Sequence, residues 1–360
     1  MRNRVLAVAI ALAGCTSQPT DVGVDPGEAG GGGGGDGSGS GSDAGSGKSD
    51  GGGSGSAALQ IPDVHCTGAP NAGPAGSFRH FTSRLITALG SPKHRGIDLM
   101  APASATTQSI EGDISYTVAD KALEDENVDL FACRVGAWTK LGTARTNGEG
   151  HFAFNLTGTA RLQIAMRDLY VSVVADRTGA AFLGLVAPEG TKLVASDVDG
   201  TLTDSENSFT TAQLTSATVG IQPGAPAAFV AATAKPYIMV YVTARGRQYT
   251  GATRSWLATN GFPRGPLRLA SSFITLPGSA SVDYKTGVLN ALTASSFEVS
   301  AGVGNRATDV TAYTNAGVTA DRIFIKLPEF TSEVQADLMA HRAIGFMTYD
   351  DLRTMYISAM

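Results

Sequence analysis

The sequence predicts a two-part fold, an antiparallel β-sandwich followed by an α/β domain built on a parallel sheet. Between Ile110 and Val186 the chain runs in short β-rich stretches: Ile114 to Val118, Val128 to Cys133, His151 to Leu156 and Leu169 to Val174. Turn signals such as Asn147-Gly148 and Arg177-Thr178-Gly179 separate them, a spacing that suits a sandwich of immunoglobulin type. After Thr191 the texture changes. Apolar runs now end in polar or charged segments and alternate with helical stretches, as in a doubly wound sheet whose strands carry ligands at their carboxyl ends.

The N-terminal part is read from composition. Arg2 and Arg4 precede an uncharged apolar stretch, Val5 to Ala13, which is too short to span a bilayer and reads as a signal peptide. It ends in Leu12-Ala13-Gly14-Cys15, which resembles a bacterial lipobox and makes Cys15 the expected site of lipidation. Thr16 follows, so the aspartate of an inner-membrane retention signal is absent. The expected address is the bacterial cell envelope, anchored to the outer membrane and facing the periplasm or the surface. Residues 16–57 are Gly, Ser and Asp with few apolar side chains, including the run Gly30 to Gly35, and cannot bury enough surface to fold. As a coil of about 40 residues this linker reaches roughly 35 Å. The expected organisation is therefore signal peptide and lipobox over 1–15, linker over 16–57, an N-terminal segment with the sandwich over 58–190, and the α/β domain over 191–360. A net charge of −5 excludes a general nucleic-acid binder, which needs a basic excess against the phosphate backbone.

Phe78, Phe81, Leu85 and Leu89 recur at helical spacing with Arg79, His80 and Arg84 on other faces, which predicts a short amphipathic helix between Ser77 and Gly90. The preferred reading packs it on its own domain; the alternative lays it on a membrane surface. Cys66 and Cys133 remain once Cys15 is acylated. The sequence leaves both a disulfide and two buried thiols open, because it does not give their separation.

The chemistry is expected in the second half. The run Leu193-Val194-Ala195 ends in Ser196-Asp197-Val198-Asp199-Gly200-Thr201, which places two carboxylates on one side of an extended chain at a strand end. Tyr237 to Val242 is an apolar strand ending in Thr243-Ala244-Arg245, a hydroxyl and a guanidinium suited to phosphate oxygens. Lys285 opens a helical stretch, Thr286 to Leu292, and offsets negative charge. Val299 to Val303 leads into Gly304-Asn305-Arg306-Ala307-Thr308-Asp309, whose hard oxygen donors suit Mg²⁺.

In this order the four segments resemble the motifs of the haloacid dehalogenase superfamily. Within it the chain is most similar to lipin-type phosphatidate phosphatases and to the C-terminal domain of large phosphatidylinositol transfer proteins, over roughly Ile110 to Phe346. Gly304 to Val310 looks like the lipin string G-N-R-P-A-D-V, with Ala307-Thr308 in place of Pro-Ala. Tyr313, Gly317-Val318 and Arg322-Ile323-Phe324 continue the similarity, Thr243-Ala244-Arg245 looks like the lipin S-A-R, and Trp256-Leu257 like the transfer-protein W-L. The resemblance implies a haloacid-dehalogenase-like parallel sheet. It also implies an Asp197 nucleophile, an Asp199 acid/base, phosphate held by Thr243 and Lys285, and substrate contacts from Thr201, Arg245, Arg254 and Arg306. Mg²⁺ is then held by Asp197, Asp199, Asn305 and Asp309. The implied reaction is phosphatidate to diacylglycerol and phosphate at a phospholipid membrane. The transfer-protein domain commonly lacks the nucleophile and is regarded as a phosphatidate sensor, whereas this chain keeps both aspartates. The alternatives are a non-catalytic phosphatidate-binding lipoprotein and a phosphatase of soluble phosphomonoesters.

Overall fold

A computed structural model describes residues 61–117, 120–206, 208, 218–272 and 274–360. The signal peptide, Cys15 and the linker of the sequence reading lie outside the described residues. The sandwich region contains β1 (Asp63–Val64), α1 (Phe81–Leu89), β2 (Arg95–Gly96), β3 (Leu99–Pro102), β4 (Thr107–Asp113), β5 (Ser115–Tyr116), β6 (Lys121–Ala122), β7 (Asn127–Arg134), β8 (Ala137–Arg145), β9 (His151–Thr157), β10 (Ala165–Val173) and β11 (Gly179–Ala187). One sheet runs β3-β11-β10-β7-β8, with β1 also on β10, and faces a smaller sheet, β2-β4-β9. Alternation supplies the core between them: Phe152, Phe154 and Leu156 of β9 and Ile110 of β4 meet Leu130, Leu169, Val171 and Phe182. Of the strand expected over Ile114 to Val118, the last residue lies outside the described residues. Only Ser115–Tyr116 pairs with β6, because Thr117 takes a left-handed φ of 71° and turns the chain.

Cys66 and Cys133 form a disulfide with a Cα separation of 5.6 Å, which settles the alternative the sequence left open and ties the leading segment to the end of β7. The bond closes a span of 67 residues. On chain-entropy grounds its removal is expected to cost about 4 kcal/mol. Urea unfolding of the Cys66→Ser/Cys133→Ser variant measures this, and an unchanged midpoint contradicts it.

The amphipathic helix is present over 81–89, but its apolar stripe is turned outward. Ser83, Ile86 and the preceding Phe78 face the sandwich, while Phe81 and Leu89 are 78% and 77% exposed and Leu85 is also exposed. The preferred packed reading is therefore corrected for three of its four apolar residues. The helix is held at its entry by the backbone amides of Arg79 and His80 on the Glu126 carboxylate, which fixes the rotation that leaves the stripe outside.

The second region holds β12 (Lys192–Ser196), α2 (Ala225–Thr233), β13 (Tyr237–Gly246), α3 (Thr250–Thr259), β14 (Leu267–Ala270), α4 (Gly278–Ala294), β15 (Glu298–Gly304), α5 (Ala307–Asn315), β16 (Ile323–Lys326), α6 (Thr331–Met339) and β17 (Ile344–Phe346). The strands form a parallel sheet in the order β14-β13-β12-β15-β16-β17. The chain leaves β12 toward β13 on one side and later returns to β15 on the other. The carboxyl end of β12 is thus the switch point at which such sheets hold ligands. One face is covered by α2 and α3 through Phe229 and Leu257, with Phe262 just beyond α3, against Met239 and Tyr241. The other is covered by α4 and α5 through Leu289, Val310 and Tyr313 against Ala195 and Val242.

The two regions share material. On β11, Phe182 and Val186 belong to the sandwich core, while Leu185 and Ala187 pack with Leu193 and Val240 of the parallel sheet. Asp98, between β2 and β3, is buried at the same junction. Its carboxylate accepts hydrogen bonds from the backbone amides of Leu183 and Leu267, both at 2.7 Å, and from Arg254 Nη2 at 2.8 Å. Among the described residues no helix is long and apolar enough to cross a membrane.

Candidate active site

Asp197 follows β12 directly, and its backbone amide donates to the Val303 carbonyl of β15, which extends the sheet to the edge of the site. The chain then turns sharply at Gly200 (φ 66°), where a Cβ would stand 2.1 Å from Asn305 Nδ2. The D-x-D-G-T string is therefore a turn, and that turn is what faces both carboxylates into one cleft. The cleft has a volume of about 630 Å³ and is lined by Asp197, Asp199, Thr243, Lys285 and Arg306.

Lys285 is buried in the middle of α4, which begins well before the helical stretch read from the sequence. Its Nζ donates to Asp197 Oδ1 at 2.7 Å and to Asp309 Oδ1 at 2.5 Å. Burial alone lowers the pKa of this ammonium, but Asp197 and Asp309 outweigh it and hold the group well above its ordinary value. Burial also drives the Asp197 carboxyl upward. Lys285 opposes the shift while Asp309, Asp199 and Glu206 add to it, and the result is about 8. The site thus gathers more negative charge than Lys285 offsets.

Asp199 is held from the neighbouring strand. Thr243 and Arg245 stand two residues apart on β13, so their side chains project to the same side. Arg245 Nη2 and Nε donate to the two oxygens of Asp199 at 2.6 and 2.7 Å, and the Thr243 hydroxyl donates to Oδ2 at 3.1 Å. Arg245 Nη1 also donates to Thr253 Oγ1 at 2.9 Å.

The structure thus brings together Asp197, Asp199, Thr243, Lys285, Asn305 and Asp309, and gives the side chains of Arg245, Arg254, Thr201 and Asp309 partners within the protein. Arg245 is buried, clamps Asp199 and also lines the cleft. Arg254 is drawn away to the buried carboxylate of Asp98 and does not line the cleft. Thr201 is buried beneath the cleft, where its hydroxyl lies 3.2 Å from both Asp197 Oδ2 and Asn305 Oδ1. Asp309, expected among the metal ligands, spends Oδ1 on Lys285 and Oδ2 on the backbone amides of Asn305 and Arg306, closing the start of α5. Arg306 does line the cleft, paired with Glu333 at 2.9 Å and stacked 4.0 Å over the Phe330 ring.

Among the described residues no three His, Cys, Asp or Glu side chains converge as a metal-holding group. The fit to a hard cation rests instead on a mixed oxygen set. A threonine hydroxyl carries a single proton, so Thr201 satisfies only one of the two oxygens it faces. The other is left without that proton, beside the carboxylates of the site. These oxygen donors suit Mg²⁺.

Sequence reasoning missed Glu206. It lines the cleft, accepts from Asn305 Nδ2 at 3.1 Å and pairs with Arg306, and burial raises its pKa. The one available signal was an acidic residue in the segment directly after the D-x-D-G-T turn, which must pass over the strand end.

Comparison with known proteins finds a match for each region. Residues 92–186 match the model of the β-sandwich domain of PITM 1-3, and residues 194–326 match the model of its LNS2 domain. The protein retinal degeneration B of Drosophila melanogaster is 26% identical over 237 residues, covering 64% of this chain and 18% of that protein. Membrane-associated phosphatidylinositol transfer protein 2 of Mus musculus is 27% identical over 188 residues, covering 47% and 13%. The chain therefore spans less than a fifth of the length of these relatives. Among solved structures, the chain is similar to D,D-heptose 1.7-bisphosphate phosphatase from B. bronchiseptica, complexed with magnesium and phosphate. That likeness has 12% identity and a TM-score of 0.37, over 47% of this chain and 99% of that one. A putative β-phosphoglucomutase from Thermotoga maritima gives 12% and 0.34, over 47% and 100%.

Proposed function

We propose that this chain is a Mg²⁺-dependent phosphohydrolase that converts phosphatidate to diacylglycerol and phosphate. The observation that carries the reading is the placement of Asp197 and Asp199 in one cleft at the carboxyl end of the central strand, with Lys285 on the first and Arg245 on the second. The Asp197 carboxylate attacks phosphorus, the bond from phosphorus to the glycerol oxygen breaks, and Asp199 delivers a proton to the departing alkoxide. Asp199 then takes a proton from water, which displaces phosphate from the aspartyl-phosphate and restores Asp197. Lys285 keeps Asp197 oriented and balances charge on the phosphoryl oxygens. Each carboxylate oxygen carries two lone pairs, so Asp199 can take the proton with Arg245 still bound. Mg²⁺ would be held by the Asp197 carboxylate, the Asp199 backbone carbonyl and Asn305 Oδ1, and when bound it neutralises charge and aligns the phosphoryl group.

A lipid substrate is supported by the outer surface around the cleft. The end of α1 adjoins Thr117 through its amide on the Ser91 carbonyl, and Asp120 pairs with Arg247 at 3.2 Å. Arg247 in turn donates its amide to Ser272, beside the exposed Ile274 and the cleft-lining Thr275 and Leu276. An outward stripe of Phe81, Leu85 and Leu89, with Arg84 also exposed, thus connects by contacts to the cleft rim, a composition suited to an anionic bilayer surface. Acylation at Cys15 and an outer-membrane address would place the chain beside such a surface, with phospholipid as its partner.

The test compares phosphatidate in vesicles with a short-chain, water-soluble phosphomonoester, using wild type and the Phe81→Asp/Leu89→Asp variant. The expected result is faster turnover of the vesicle substrate by wild type, at least about tenfold lower vesicle activity in the variant, and unchanged activity on the soluble ester. Equal or better turnover of the soluble ester by wild type favours a soluble-phosphomonoester phosphatase.

A further inference from the structure

The Asn305 side-chain amide lies between two groups with opposite demands. Its Nδ2 donates to Glu206 Oε2 at 3.1 Å, while its Oδ1 lies 3.2 Å from the Thr201 hydroxyl that also faces Asp197 Oδ2. Turned the other way, the amide would set its oxygen against the Glu206 carboxylate. It would also present its amino group toward Asp197, offering the cleft two donor protons where a cation needs an oxygen. Glu206 is itself held, by Arg306 Nη1 at 3.4 Å and by its own backbone amide on Glu329 Oε1 at 3.4 Å. Gly200 leaves the space for the pair. A Cβ there would stand 2.1 Å from Asn305 Nδ2 and 2.9 Å from Glu206 Oε2.

We propose that Glu206 is a positioning residue that fixes the Asn305 amide with its oxygen toward Asp197, and so makes Asn305 a ligand for Mg²⁺. The inference rests on the metal-dependent reading of the site. Groups that orient metal ligands contribute to affinity without touching the ion, and their loss weakens binding by about 10- to 100-fold. Removing Glu206 frees the amide to rotate and donate to Asp197.

Titration calorimetry with Mg²⁺ on wild type, Glu206→Ala and Glu206→Gln tests this without any turnover. Glu206→Ala is expected to bind Mg²⁺ about 10- to 100-fold more weakly. Glu206→Gln loses the charge but keeps an acceptor for Asn305 Nδ2, so its affinity is expected to stay close to wild type. The melting temperatures of all three without Mg²⁺ should agree. Wild-type affinity in Glu206→Ala overturns the inference. Equal weakening in both variants also overturns it, since Glu206 then acts through charge alone. A wild type that binds no Mg²⁺ overturns the underlying metal reading and the inference with it, and shows itself before any substitution is made.

Discussion

Asp197→Asn is expected to lower phosphate release by at least about a hundredfold, because an amide of the same shape cannot form the aspartyl-phosphate. Its fold should survive. The introduced amide keeps an acceptor oxygen for Lys285, and Lys285 keeps Asp309. Asp199→Asn is expected to lose activity by a similar factor as the acid/base is removed, but its structural consequences differ. Arg245 is only 2% exposed and spends two hydrogen bonds on Asp199, so neutralising that partner takes a carboxylate from a buried guanidinium at a cost of up to about 3 kcal/mol. The two variants also part on metal. Asp199 would reach Mg²⁺ through its backbone carbonyl, so its variant should retain Mg²⁺ better than the Asp197 variant, which loses a carboxylate ligand. Turnover, denaturant midpoint and Mg²⁺ affinity measured on both variants check all three statements. Wild-type turnover in Asp197→Asn contradicts the nucleophile assignment.

Asp98→Ala is expected to destabilise the protein by about 3–5 kcal/mol although it lies outside the cleft. The substitution leaves Arg254 without its carboxylate and strips the buried amides of Leu183 and Leu267 of their acceptor. Those partners belong to both regions, so the variant should unfold in one transition at lower denaturant rather than losing the sandwich alone. A chain beginning at Thr191 should fare worse, because it exposes the faces of Leu193, Ala195 and Val240 that Leu185 and Ala187 cover. A soluble, fully active fragment from Thr191 contradicts this coupling, as does an Asp98→Ala variant with separate transitions.

Much of this was legible because the relevant residues signal through local pattern. The parallel strands read as apolar runs since they are buried on both faces, and their polar terminations marked the site. Asp197, Asp199, Thr243, Lys285 and Asn305 could be located because each stands at a strand end or on the following helix. Partner choice was not legible. Whether Arg245 met Asp199 depended on the spacing of β12 and β13, and Arg254 was claimed by Asp98, 156 residues away in sequence. The helix at 81–89 shows a different limit. Periodicity gave its apolar stripe, but only tertiary contacts at Ser83, Ile86 and Glu126 decided which way the stripe faced. Glu206 was missed for the same reason, since its meaning comes from Asn305 across the cleft.

The most direct test of the central claim is phosphate release from phosphatidate vesicles by the wild-type chain, with Mg²⁺ and with the metal chelated, alongside its binding to the same vesicles. Hydrolysis that requires Mg²⁺ and disappears in Asp197→Asn is the expected result. Vesicle binding with no phosphate release under either condition, unaltered in Asp197→Asn and Asp199→Asn, would contradict it and make the cleft a phosphatidate sensor.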